Sequence, residues 1–467
     1  MKHKCNIILL SFLLSAAASS KANITTLRMV HLIWRHGDRN PTKTFPTDVE
    51  NGPETWPEGL GQLTKLGMRQ HYTIGQWLRQ RYDGFMPNHY DSDDVYIRST
   101  DVNRTIASAL ANLAGFYSNM RVEDRFNAEL NWIPIAVHSV PKKYDSMLEM
   151  DTHCPRGDEL KVEINNSPRV REFMAPIKKF LNDVASKEGI KLEGFQNIND
   201  LVTNLEIENQ HLNEHTLPDW ATPDIYWKLK RIFDESLQFY FSTIEWQRLR
   251  GGLLMGEISN RMAQAAAQNY TTLSPKLKYI AYSAHEWDIV AALQILGSFN
   301  NRNPDFGAVL MIELHQRSTD GIFVVEVYYQ NKTNQLEPNI YAMNAPYRLQ
   351  IANCSTPCPL DDVIKRIKPR VPNDWEAECQ PKYVKRPKQN SDLSPNDILP
   401  KSFAAVLVEP DANDVYRADT VLIAFVATLI VALPLTIAIV VLVFRNKRLT
   451  SQLRARSALT DYGTMNT

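Results

Sequence analysis

The segment MVHLIWRHGDRNP, residues 29–41, runs an apolar stretch straight into a cluster of charge. Residues 29–34 suit a buried strand, and Gly37 permits a turn where the strand ends. Arg35, His36, Asp38 and Arg39 therefore fall just past the C-terminal end of a strand, where open α/β sheets bind their ligands. Downstream, Met68, Tyr72, Gly75, Leu78 and Tyr82 recur at helical spacing and predict an amphipathic helix over 63–82. Residues 95–97 read as a second strand, followed by a helix over 101–116 with Ile106, Leu110 and Leu113 on one face. Residues 277–283 read as a third strand, with His285 and Glu286 at its end and a helix over 289–296. Repeated strand–loop–helix units predict an α/β fold with a mainly parallel sheet flanked by helices. The charged, helix-leaning stretch of about 155–250 interrupts this alternation and reads as an inserted, mostly helical cap. Residues 309–315 and 322–329 flank an Asp320-Gly321 turn, which predicts a hairpin at the edge of the sheet.

Two arginines bracketing a histidine have a definite chemical use. Near neutral pH a phosphate monoester carries a charge close to −2, and planar guanidinium groups hold its oxygens through paired, charge-assisted hydrogen bonds. The imidazole between them is then placed to attack phosphorus. The same positive neighbours favour neutral imidazole, so a nucleophile persists below neutral pH. A charged surface turn is the ordinary alternative. Average residue usage puts a chance R-H-G-x-R in such a chain at roughly one in five hundred, which favours the chemical reading.

RHGDRNP resembles the RHGxRxP signature of the histidine acid phosphatases, in particular their prostatic and lysosomal branch. The segments TFPTD (44–48), GQLTKLGMRQHY (61–72), VYIRSTDVNRT (95–105), LPDWAT (217–222) and YSAHE (282–286) are similar to family segments in the same order. The likeness spans about residues 27–380. It implies attack by His36 to give a phosphohistidine, hydrolysis of that intermediate by water, and binding of the phosphoryl oxygens by Arg35, Arg39, Arg104 and His285. No metal or cofactor takes part in such a mechanism. The family's leaving-group acid is an aspartate directly after the second histidine, and this chain has Glu286 there. Glutamate supplies the same proton from a longer arm. Asp288 is the reserve acid, although the first turn of a helix is equally a place for a structural carboxylate. Trp220 matches a tryptophan lining the family's substrate entrance. The resemblance also implies a homodimer.

Other patterns carry less. His211 and His215, spaced i, i+4, read as parts of a solvated loop rather than metal ligands, because the segment NQHLNEHTLP is polar and ends in proline. No P-loop, GxSxG or HExxH sequence is present. The 52 Lys and Arg balance 52 Asp and Glu, which argues against a nucleic-acid binder or a polybasic membrane-surface protein. A second functional reading, a membrane receptor or adhesion protein that keeps the phosphate pocket but little chemistry, rests on Glu286 alone.

The two ends indicate the compartment. Lys2 and Lys4, the apolar residues 7–18 and the small residues Ser19, Ser20 and Ala22 read as a signal peptide over 1–22. Residues 421–444 hold no charged side chain and exceed the roughly 20 residues that cross a bilayer. The following Arg445, Lys447, Arg448, Arg454 and Arg456 place the C-terminus in the cytosol. The expected organisation is a catalytic domain over 23–385, a proline-bearing luminal stalk over 386–420, a single span, and a tail over 445–467. A type I protein of the lysosome or cell surface follows. In the tail, Tyr462 and Met465 fit a Y-x-x-apolar sorting pattern, with a sorting adaptor as its partner. Cys154, Cys354, Cys358 and Cys379 remain after the signal; proximity pairs Cys354 with Cys358 and leaves Cys154 for Cys379, a pattern the family cysteines also match. Asn23, Asn165, Asn269, Asn331 and Asn353 are glycosylation candidates. Asn103 also begins a sequon but adjoins Arg104, which argues against a glycan there.

Overall fold

In the computed structural model, residues 21–192, 194–270, 274–331, 343 and 345–382 are described. Eight strands form one sheet: β1 (Leu27–Arg35), β2 (Val95–Thr100), β3 (His138–Val140), β4 (Tyr279–Ala284), β5 (Val309–Gln316), β6 (Phe323–Gln330), β7 (Tyr347–Leu349) and β8 (Cys358–Pro359). Their order is β3-β2-β4-β1-β5-β6-β7, with β8 also paired to β6. The pairs among β3, β2, β4 and β1 are parallel, and every pair from β1–β5 onward is antiparallel. The sheet is thus mixed, not mainly parallel. Nor does the β5–β6 hairpin form the edge, because β7 and β8 pair outside it.

Alternation along β1 explains its uninterrupted apolar run. Met29 and Ile33 join a core beneath one face, while Val30, Leu32 and Trp34 join a second core beneath the other. The helices α1 (Lys65–Arg81) and α2 (Asn103–Phe116) cover the second face through Ile74, Leu78, Ala109 and Leu113. The segment between β3 and β4 holds α3 (Pro155–Asn165), α4 (Pro168–Met174), α5 (Lys178–Glu188), α6 (Phe195–Gln210), α7 (Pro223–Tyr240), α8 (Ile244–Arg250) and α9 (Gly252–Ala267). Most of these share a separate core around Phe195, Leu201, Phe233 and Leu237, whereas α9 supplies Leu254, Met255 and Ile258 to the first face of the sheet. Also on that face lie α10 (Glu286–Leu296) and α11 (Leu360–Ile367), and the short α12 (Trp375–Glu378) ends at Cys379.

Disulfides join Cys154 to Cys379 and Cys354 to Cys358, as the spacing predicts. The first closes a separation of 225 residues and the second a separation of 4, so loop-closure entropy gives them unequal weight. Cys154→Ser/Cys379→Ser is therefore expected to cost roughly 2–5 kcal/mol, and more than Cys354→Ser/Cys358→Ser, in urea unfolding without reductant. Among the described residues, no helix is long and apolar enough to cross a membrane. The span expected at 421–444, the stalk, Tyr462 and Met465 lie outside the described residues, as do residues 1–20 of the expected signal.

Candidate active site

The parallel pairing of β2, β4 and β1 brings their C-terminal ends to one edge of the sheet. His36 follows β1, Arg104 opens α2 after β2, and His285 follows β4, with the His36 N–H donating to the Ala284 carbonyl at 3.1 Å. The loop after β1 packs on the start of α1 through two glycines. A Cβ at Gly37 would overlap the Gly67 carbonyl, and one at Gly67 would overlap the Asp38 carbonyl. His36, Arg39, Arg104, His285 and Glu286 all line one cavity of about 290 Å³.

Hydrogen bonding fixes the state of the nucleophile candidate. Only 1 % exposed, His36 places Nδ1 2.8 Å from the Gly37 carbonyl. A carbonyl only accepts, so Nδ1 carries the proton and Nε2 keeps its lone pair. Burial, then the charges of Arg104 and Arg35, the His285 ring and Arg39, push the His36 pKa well below its ordinary value. Burial and the neighbouring arginines likewise lower His285 to about 3. Its ring lies 5.5 Å from that of His36, with Nε2 3.1 Å from the Thr100 hydroxyl. Two neutral imidazoles thus sit among crowded cations. Burial, then Arg104, lower Arg39 to about 9, and burial lowers Arg104 in turn. Repulsion of this kind is relieved by an anion in the cavity.

Arg35 is buried beside the residues that line this cavity and acts electrostatically on His36, Arg39 and Arg104. Its Nη1 donates to the Pro304 carbonyl at 2.7 Å, its guanidinium stands 4.0 Å over the Phe306 ring, and its Nε is 3.0 Å from Glu286 Oε2. Burial raises the Glu286 carboxyl, but Arg35, His285 and Arg39 outweigh it and hold the pKa at about 2. Asp288 does not line the cavity. Its Oδ2 accepts the His285 N–H at 3.0 Å while the His285 ring accepts the Asp288 N–H, a capping box at the start of α10. Burial pushes its carboxyl well up, so the residue held as reserve acid sits in a helix cap, out of contact with the cavity. Trp220 is also absent from the cavity lining: half-buried against the cap core, it donates its indole N–H to Glu188 at 2.7 Å.

His211 and His215 are not solvated. His215 is buried and stacks on Trp56 with ring centres 3.7 Å apart, its Nδ1 being 3.0 Å from Asn51 Oδ1. His211, at the C-terminal end of α6, donates from Nε2 to Asp38 Oδ2 at 2.7 Å. Asp38 is fully buried; its carboxylate also accepts the Thr64 hydroxyl, and its N–H donates to Gln70 Oε1. The cap is thereby tied to Asp38, directly before Arg39 in the loop after β1. Burial lowers the His211 pKa, but Asp38 outweighs it and the net shift is upward from 6.5. The stabilisation is fully present below that value and fades as pH rises through the raised pKa. His211→Leu is expected to cost about 1–3 kcal/mol in urea unfolding at acidic pH, with a smaller loss at alkaline pH.

Among the described residues, one group has metal-ligand spacing: Glu313, His315 and Glu326, away from this cavity. Arg81 and Tyr82 already donate to Glu313, and Arg348 and Tyr328 to Glu326, so the carboxylates are matched by protein donors. Of the sequon asparagines, Asn23, Asn103, Asn269 and Asn353 are exposed, while Asn165 and Asn331 are half-buried.

Residues 26–330 match the family model of the histidine phosphatase superfamily (branch 2). The chain belongs to that family. Within branch 2 it is 38% identical to the lysosomal acid phosphatase of Bos taurus over 359 residues, 76% of this chain and 80% of that protein. Prostatic acid phosphatase of Homo sapiens is 37% identical over 358 residues, 76% of this chain and 88% of its own length. The phytase of Hafnia alvei, solved with tartrate, superposes with a TM-score of 0.58 at 18% identity, over 76% of this chain and 98% of that one. At that identity the likeness to the phytase is one of fold.

Proposed function

We infer that this protein is an acid phosphatase that hydrolyses phosphate monoesters through a phosphohistidine on His36. The observation that carries the assignment is the His36 ring: Nδ1 is committed to the Gly37 carbonyl, and Nε2 keeps an unprotonated lone pair in a cavity lined by Arg39, Arg104 and His285. Arg35, Arg39, Arg104 and His285 hold the phosphoryl oxygens. Nε2 attacks phosphorus, and the leaving oxygen takes a proton from the Glu286 carboxyl. In the second step the Glu286 carboxylate accepts a proton from the attacking water, the N–P bond breaks, and inorganic phosphate leaves. Arg35 also orients Glu286, its Nε being 3.0 Å from Oε2.

An acidic working range fits this assignment, because His36 stays neutral in acid while Glu286 must be protonated. The names of the lysosomal relatives, the disulfides and the terminal sequence patterns support a luminal catalytic domain over 23–385 with its cap over about 155–250. They support equally a cleaved signal over 1–22, a stalk over 386–420, a single span over 421–444 and a cytosolic tail over 445–467. Glycans on the sequon asparagines, a homodimer, and adaptor binding at Tyr462 and Met465 belong to the same proposal. The test is hydrolysis of 4-nitrophenyl phosphate by the full chain in detergent, from about pH 4 to about pH 8, with a chelator present. Chelator-resistant turnover rising toward acid is expected; a folded protein that binds phosphate without turnover overturns the assignment.

A further inference from the structure

Beyond the residues around His36, the cavity has two unlike walls. One is aromatic: Tyr240 and Phe241 at the end of α7, Trp246 of α8 and Trp287 of α10. Trp287 directly follows Glu286 and is half-buried, whereas the other three are buried. Its ring meets Tyr240 edge-on at 5.0 Å and 82°, and Phe241 at 6.3 Å. The indole makes no hydrogen bond among the described residues, so ring contacts and packing against the cap core hold it. A second layer of aromatic side chains thus backs the one ring in this wall that keeps substantial exposure.

The rest of the lining is polar and close to neutral. Outside the phosphate cradle, Lys142, Lys161 and Arg250 face Glu149, Asp151, Asp158 and Asp200. Burial pushes the Glu149 carboxyl up, which brings the remaining charges nearer to balance. A leaving group bearing a second phosphate finds no excess of cations there, while an apolar, planar one finds Trp287. Resting on the phosphatase reading above, we propose that Trp287 is a specificity-determining residue. It receives the leaving group against its face and favours aryl, singly phosphorylated substrates.

Aryl phosphates also react faster for reasons of leaving-group chemistry, so the test uses inhibitors that are not turned over. Competitive inhibition by phenylphosphonate and methylphosphonate is measured on the full-length protein and on Trp287→Ala and Trp287→Phe. Phenylphosphonate is expected to bind about tenfold more tightly than methylphosphonate to the native chain, as ring stacking provides. In Trp287→Ala the ratio falls to near unity, and in Trp287→Phe most of it returns. A residue that merely orients Glu286 would alter turnover and leave the ratio unchanged. A native ratio near unity, or a native ratio kept in Trp287→Ala, overturns the proposal; the native ratio decides by itself if the alanine variant does not fold. If neither phosphonate nor inorganic phosphate binds the folded native chain, the phosphatase reading itself fails and Trp287 loses this role with it.

Discussion

His36→Ala is expected to reduce kcat toward 4-nitrophenyl phosphate by at least about 10⁴-fold while leaving inorganic phosphate bound. Deleting the imidazole removes the atom that forms the covalent bond, whereas the binding donors on Arg39 and Arg104 stay in the cavity wall. A loss of that size corresponds to roughly 5.5 kcal/mol of transition-state stabilisation, beyond what one hydrogen bond supplies. Two measurements check it: steady-state turnover, and the inhibition constant of phosphate through its effect on thermal stability. Rapid denaturation during turnover should trap acid-labile phosphate on the native chain and none on His36→Ala. Residual activity within about tenfold of native would mean that another group attacks phosphorus.

Position 36 was readable because two kinds of pattern coincide there. The apolar run of β1 marks a strand and the charge after it marks a ligand loop. His285 was readable for the same reason at the end of β4. What stayed hidden depends on contacts between distant parts of the chain. Nothing near His211 in the sequence points to Asp38, because the bond joins residues 173 apart and arises only when α6 packs over the loop after β1. Trp220 shows the converse: its local sequence resembles the family, yet Glu188 on α5 engages its indole elsewhere. The sheet was misread where local signals are silent. The Asp320-Gly321 turn marks β5 and β6 as an antiparallel hairpin, but a strand buried on both faces has the same apolar pattern whether its neighbour runs parallel or antiparallel, so neither the antiparallel pairing of β5 with β1 nor the addition of β7 and β8 outside the hairpin is legible locally. Glu286 and Asp288 were both legible as acids at the start of a helix. Only the capping box, which commits Asp288 to the His285 N–H, separates their roles.

Glu286→Gln is expected to divide substrates by the quality of their leaving group. With Arg35 3.0 Å from Oε2, the carboxyl of the free enzyme is held at about 2 and is ionised throughout the working range. A phosphate dianion in the cradle offsets the same arginines and histidine that lower this pKa, so substrate binding itself raises it. The proposed proton transfer needs the acid form in the complex, so the alkaline limb of kcat, rather than that of kcat/KM, is expected to report its ionisation. An alkyl phosphate departs as a strongly basic alkoxide, so loss of the proton donor should lower its kcat by about 10²–10³-fold. 4-Nitrophenolate leaves without help, so the variant should form its phosphohistidine at close to the native rate in single-turnover measurements. The alkaline limb with an alkyl phosphate should flatten as well, because glutamine does not titrate. Equal losses for alkyl and aryl substrates in that first step would move the proton donor to another carboxyl of the cavity, and would leave Glu286 the task of holding Arg35.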